Sequence, residues 1–240
     1  METKNEHPTS KGNRGAKTMD QLLSAGLEAF ARFGPEGVTT RQLAKMAGVN
    51  SAAIAYYFGG KEGYYIAVVK HLMRERIRPV LAFLSDIHEE LKRSEHTPEV
   101  AGPLLLNLLR GLTFNVLTNP NAKFVASIST REHLHPTSAF DVIYTESVLR
   151  MHNILSEFVG CVTRTPADSP DTIIRAHALL GQVLLFRIAA TTVCRRLGWD
   201  TITEERAGHI AAIVAEMACR SIGMEPLEGK TIKKDTEDET

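Results

Sequence analysis

The chain is 240 residues long, with 43% hydrophobic and 23% charged residues and a formal balance of 28 basic against 28 acidic side chains. That is enough apolar material for a self-sufficient core, and it excludes a disordered or collagenous chain. The cysteines Cys161, Cys194 and Cys219 are odd in number, far apart and outside any CxxC pair, so they read as buried thiols in a reducing compartment. No apolar run approaches the roughly 18 residues of a membrane span, and the polar start lacks the apolar stretch of a secretory signal. The expected location is cytoplasmic, with no membrane partner.

Zero net charge conceals an uneven distribution. From Lys11 to Val80 there are eleven Lys and Arg against five Asp and Glu, whereas from Leu81 onward sixteen basic residues face twenty-one acidic ones. A basic front end on an acidic body fits two different partners, one of them polyanionic.

In chain order, residues 1–15 have no hydrophobic period and are expected to form a disordered arm. From Thr18 the pattern turns helical, with Leu23, Leu27, Phe30 and Phe33 on one stripe and a stop at Gly34-Pro35. Two short helices follow, separated by Gly48. A longer one begins near Lys61 and meets Pro79, which must kink or end it. Further helices are expected over about 80–92, 98–117, 120–133, 137–160, 171–196 and 203–222, nine or ten in all, with no alternating strand pattern. Residues 226–240 read as a disordered tail. The fold class is all-α: a three-helix head over residues 16–62 and a larger helical bundle over 63–225. Their boundary is expected inside the fourth helix rather than in a flexible linker.

The stretch from Gly37 to Val68 carries the most information. Thr39 or Thr40 can cap a helix that buries Leu43, Ala44 and Ala47; Gly48 suits the left-handed residue after it, and Val49 can plug the core. Asn50 can cap the next short helix, which buries Ile54 and Phe58. This is a helix-turn-helix whose second helix is free to enter a major groove. Lys61, after YYFGG, opens a helix at which its ammonium and the terminal amides can face a phosphate.

Over Ala16 to Val68 these residues resemble the TetR repressor family: a Thr-led helix, AGV, a capped recognition helix, an aromatic pair before Phe58, then Gly60-Lys61-Glu62. One departure is Ala55, where the family usually has a Tyr that touches DNA. The resemblance implies DNA contacts at Thr40, Arg41, Asn50, Ser51, Ala52, Tyr56, Tyr57 and Lys61. With Ser and Ala at the front of the second helix, thymine-methyl contact and indirect readout should outweigh bidentate hydrogen bonding. The body resembles CecR-type regulators through Ser129–Glu146 (STREHLHPTSAFDVIYTE), His177–Ala189 (HALLGQVLLFRIA) and Leu197-Gly198-Trp199. That resemblance implies an efflux or drug-response regulator.

The resulting expectation is a repressor that binds a palindromic operator on double-stranded DNA as a homodimer and is released by a small-molecule effector. The effector pocket is expected among Leu105, Leu109, Phe114, Phe124 and Phe140, with Arg131, Glu132, His133 and His152 supplying polarity. Segment 171–196 is apolar over more than one face, so it should pair with 203–222 in a four-helix dimer interface at Leu180, Gly181, Leu184, Ile188, Ile210, Val214 and Met217. No GxSxG, Walker loop, GxGxxG or zinc ribbon occurs, and His133 and His135 lack HExxH spacing; no catalytic residue, metal or cofactor is expected. The rival reading is a small-molecule-binding helical enzyme or sequestering protein whose hairpin is purely structural. Turnover without DNA binding would mark it.

Overall fold

A computed structural model of the chain describes residues 10–120 and 122–224. Among them it contains twelve α-helices, two π-helical turns and no strand. The head comprises α1 (Ser10–Phe33), α2 (Thr40–Ala47), α3 (Ala52–Phe58) and α4 (Lys61–Leu72). A π-turn over Met73–Ile77 leads into α5 (Arg78–Arg93), followed by α6 (Pro98–Thr118), α7 (Ala122–Leu134) and α8 (Ser138–Ile143). A second π-turn, Tyr144–Val148, leads into α9 (Leu149–Thr163); α10 (Pro170–Ile188), α11 (Ala190–Leu197) and α12 (Glu204–Ser221) complete the body.

Local chemistry sets several boundaries. Thr39 forms a reciprocal capping box with Gln42 at the start of α2. Ser169 accepts from the Thr172 amide ahead of Pro170, and Thr203 accepts from the Arg206 amide with Glu204 and Glu205 in the first turn of α12. Pro79 stands in the first turn of α5, where its missing N–H costs little, and the π-turn before it absorbs the interruption. The expected single helix over 171–196 is bent by 65° between α10 and α11.

There are two cores. The first joins Leu22, Leu27 and Phe30 of α1, Leu43 and Ala47 of α2, Ile54 of α3 and Tyr64, Val68 and Leu72 of α4 to Ile128, Ala139 and Ile143 of α7 and α8. The second is built around α6, whose Leu105, Leu108, Leu109 and Leu112 are covered by α5, α9, α10 and α12. The hand-over falls at the first π-turn, where Ile77 touches both cores. The head core thus runs on through α4 to Met73, past the expected boundary at residue 62, and it borrows side chains from α7 and α8. Helix α6 is long and apolar enough to cross a membrane, yet its leucines form the centre of this core.

Two expectations at the front need correcting. The first helix begins at Ser10, so residues 10–15, assigned to the arm, are helical; residues 1–9 and the tail from 225 lie outside the described residues. Phe33 is 47% exposed rather than buried, with the Arg32 guanidinium over its ring at 5.0 Å in the last turn of α1.

Candidate nucleic-acid interface

The turn between α2 and α3 follows from three residues. Gly48 adopts φ +67°, and the Val49 amide reaches back to the Ala44 carbonyl, closing the end of α2. Val49 then packs on the head core. Asn50 accepts from the Ala52 amide at 2.8 Å and so starts α3. Of the two candidate caps for α2, Thr39 makes the bond and Thr40 is its first helical residue.

Helix α3 buries Ile54 and leaves Ser51, Ala52, Ala55 and Tyr56 exposed. The two tyrosines divide. Tyr56 is 82% exposed, whereas Tyr57 is half-buried against the head core with the Tyr56 ring on its edge at 5.0 Å. Phe58 stacks on Tyr64 at 4.7 Å. Arg41 is exposed on α2. Lys61 is half-buried, its ammonium donating to the Val38 carbonyl at 3.4 Å, so it ties the loop before α2 as well as marking the start of α4. Of the eight expected contact residues, Arg41, Asn50, Ser51, Ala52 and Tyr56 are exposed, while Thr40, Tyr57 and Lys61 are half-buried.

Tyr64 and Tyr65 hold α4 in place. The Tyr64 hydroxyl donates to the Leu22 carbonyl of α1, and burial pushes it up to about 12. Tyr65 donates to the fully buried Glu132 carboxyl at 2.8 Å; burial first, then that carboxyl, raise its hydroxyl. The Thr137 amide and hydroxyl also donate to Glu132, at 3.0 Å or slightly more. Nearby, Arg131 donates to the Phe30 carbonyl at 3.1 Å and Ser138 donates to Glu62 at 2.8 Å. Together these bonds fasten α7 and α8 of the body to α1 and α4 of the head.

The nine expected pocket residues are not gathered around one cavity. Leu105 and Leu109 are fully buried in the body core, and Arg131 and Glu132 are committed to the head–body contact. Phe124 packs on the head core. His133 is exposed, bonded to the Ser129 carbonyl and edge-on to Phe140; Phe114 is 37% exposed; and His152 is stacked on His177. The body instead has a cavity of about 800 Å³ where α5 and α9 end and α6 begins, lined by Leu91, Pro98, Glu99, Glu157, Cys161 and Arg164 among others. A smaller one, about 380 Å³, lies along the α5–α9 seam by His88 and Arg150. His88 and Glu157 bond at 2.6 Å between the two. Of the three cysteines expected to be buried, Cys219 is and Cys161 and Cys194 are half-buried; burial pushes the Cys219 thiol up to about 11 and also raises that of Cys161.

The expected interface residues also separate. Leu180, Ile210 and Val214 face the protomer's own core, since α10 and α12 cover α6 with those sides. Gly181, Ile188 and Met217 remain exposed and Leu184 is half-buried. With them stand Ile173, Ile174, Leu185 and Ile213, each more than 40% exposed.

A capped helix-turn-helix with an unspent outer face, mounted on an all-helical body, defines the class of helix-turn-helix transcriptional regulators. Residues 22–68 match the family of bacterial regulatory proteins, tetR family, and residues 103–224 match the C-terminal domain of the HTH-type transcriptional dual regulator CecR. Over 224 residues the chain is 30% identical to CecR of Shigella flexneri, an alignment spanning 87% of this chain and 96% of that protein. The chain belongs to the TetR family of bacterial transcriptional regulators and has a CecR-type C-terminal domain. Across 43% of the chain and 54% of the relative it is 31% identical to the regulator RutR of Escherichia coli strain K12. Two solved structures share the fold at 16% identity. A TetR-like regulator from Rhodococcus sp. RHA1 has a TM-score of 0.60, covering 87% of this chain and 97% of that one. AibR in complex with isovaleryl coenzyme A and operator DNA has a TM-score of 0.59, covering 83% and 97%. Family members are transcriptional regulators rather than enzymes.

Proposed function

We propose that the chain is a ligand-responsive cytoplasmic repressor that binds a palindromic operator as a homodimer and is released by a small-molecule effector. The observation that carries this reading is the outer face of α3. Tyr56 there is 82% exposed beside the equally unspent Ser51, Ala52 and Ala55, so the helix offers a groove-sized surface that the fold does not use. Arg41 and Lys61 flank it and supply phosphate contacts. The AibR structure, solved with an acyl coenzyme A and operator DNA, supports coupling of an effector to DNA within this fold.

The effector's place is the cavity of about 800 Å³ at the α5–α6–α9 end, a volume in the usual range for small-molecule sites. A ligand that binds two arrangements of the body unequally shifts α5, and through the π-turn shifts α4 and the head. Coupling of about 1–3 kcal/mol is typical for such a linkage.

The test is selection of genomic DNA fragments with the full-length chain at two salt concentrations, beside the variant Tyr56→Ala, Lys61→Ala. Enrichment of a palindrome that weakens with salt and falls by about 10-fold or more in the variant is expected. Sequence-blind retention would reduce the head to a nonspecific basic patch.

Self-association rests on the exposed apolar faces of α10 and α12. Leu185→Asp, at a position 58% exposed, should leave the melting of the protomer in place but convert the sedimenting species from dimer to monomer. A variant that still sediments as a dimer would move the interface elsewhere.

A further inference from the structure

His152 of α9 and His177 of α10 form a pair that the proposed regulator does not use. The His177 Nδ1 and His152 Nε2 atoms are 3.3 Å apart, and the rings lie 5.2 Å apart at 28°. Neither imidazole makes an ion pair with a carboxylate among the described residues. In a tetrahedral zinc site with Zn–N bonds of about 2.0–2.1 Å, two imidazole nitrogens stand about 3.3–3.4 Å apart. The pair thus already has the spacing of one edge of such a tetrahedron.

The position of the pair supplies the rest of the argument. His177 is exposed on α10, one turn after Ile173 and Ile174 and one turn before Gly181, inside the apolar stripe continued by Leu185 and Ile188. A Cβ at Gly181 would meet nothing within 4 Å, so a partner backbone can come close there. In a two-fold interface each patch meets its own copy, so a histidine inside the patch is brought to the same interface as its counterpart from the second copy.

We infer that His152 and His177 are half of a zinc-type metal site completed by the same two side chains of a second copy, a structural clamp across the dimer. This rests on the dimer proposed above. A neutral four-imidazole set suits zinc(II), with cobalt(II) as a spectroscopic substitute.

The experiment uses the full-length, untagged chain, stripped of metal and titrated with zinc(II) and, separately, cobalt(II). The expected result is half an equivalent of zinc per protomer, a tetrahedral cobalt(II) visible spectrum, and a dimer dissociation constant at least about 10-fold lower with zinc. His177→Ala and His152→Ala should each abolish binding; because His177 is exposed in the protomer, the first should keep the parent's helical content by circular dichroism. Absence of saturable binding, binding that survives both substitutions, or a full equivalent bound by a monomer would each overturn the shared site. A chain that dimerises without metal and ignores zinc overturns this inference and leaves the dimeric regulator standing. A chain that is monomeric with and without zinc overturns both.

Discussion

Glu132→Ala is expected to lower the unfolding midpoint by roughly 5–15 °C, through a loss of about 2–4 kcal/mol at about 2–4 °C per kcal/mol for a chain of this size. The reason is geometric. The Glu132 carboxyl is fully buried and accepts the Tyr65 hydroxyl at 2.8 Å, while Tyr65 itself is only 3% exposed. Once the carboxyl is removed, that hydroxyl has no water to turn to, and the full desolvation cost of an unmet donor falls on the folded state. Thr137, which donates to the same carboxyl, is exposed and recovers water, so its share is small. Tyr65→Phe should cost less, about 1–2 kcal/mol, because the donor is gone and the Thr137 amide and hydroxyl still donate to the carboxyl left behind. Calorimetric melting of the two variants checks the ratio. An Ala variant that melted within a degree of the parent would mean that this bond carries no weight between head and body.

Gly26→Val is expected to destabilise the chain by about 2–3 kcal/mol and to weaken operator binding with it. Judged by helix propensity alone, replacing a glycine in the middle of α1 should be favourable. The packing decides the sign. A Cβ at Gly26 would lie 2.6 Å from Val68 Cγ2 and 2.7 Å from the Tyr64 hydroxyl, so α1 and α4 would have to separate. That separation would pull the Tyr64 hydroxyl from the Leu22 carbonyl and tilt the helix that begins at Lys61. Denaturant unfolding gives the stability change, and fluorescence anisotropy on the selected operator gives the affinity. Unchanged or greater stability would show that the two helices have more room than this packing allows.

What could be read from the sequence and what could not follow one division. Period, caps and glycine stops are local, so the helix-turn-helix was legible: Leu43, Ala44, Ala47 and Ile54 are buried, and Gly48 has the left-handed conformation. A hydrophobic stripe says which residues avoid water but not which neighbour covers them. Leu180, Ile210 and Val214 are as apolar as Ile174, Leu185 and Ile188, yet the first three face α6 and the others are exposed. Polar residues in the middle of a helix are harder still. Arg131 and Glu132 looked like polarity for a pocket because their partners, Phe30 and Tyr65, stand 101 and 67 residues away in the chain. Nothing in the neighbouring sequence points to either. The large cavity gathers the ends of α5 and α9, the start of α6 and the loop after α9, segments that are distant in the chain and meet only in the fold. The division of labour between Tyr56 and Tyr57 likewise depends on the angle at which α3 crosses the head, which adjacent letters do not encode.

The two π-turns pack against each other, one entering α5 and the other entering α9. Each π-turn takes in one residue beyond the α-helical repeat, and one residue is about 100° of rotation about a helix axis. Before its turn the first path gives Tyr64, Val68 and Leu72 to the head core; after it, Leu81, Leu84 and Leu91 go to the body core. The second path changes over in the same way, from Ala139 and Ile143 to Ile154, Leu155 and Phe158. Two neighbouring shafts are thus re-phased side by side, like meshed gears keyed to different wheels. Under the proposed mechanism, a twist of the body about these axes would reach the head as a twist and not as a stretch, and would turn the angle at which α3 meets DNA.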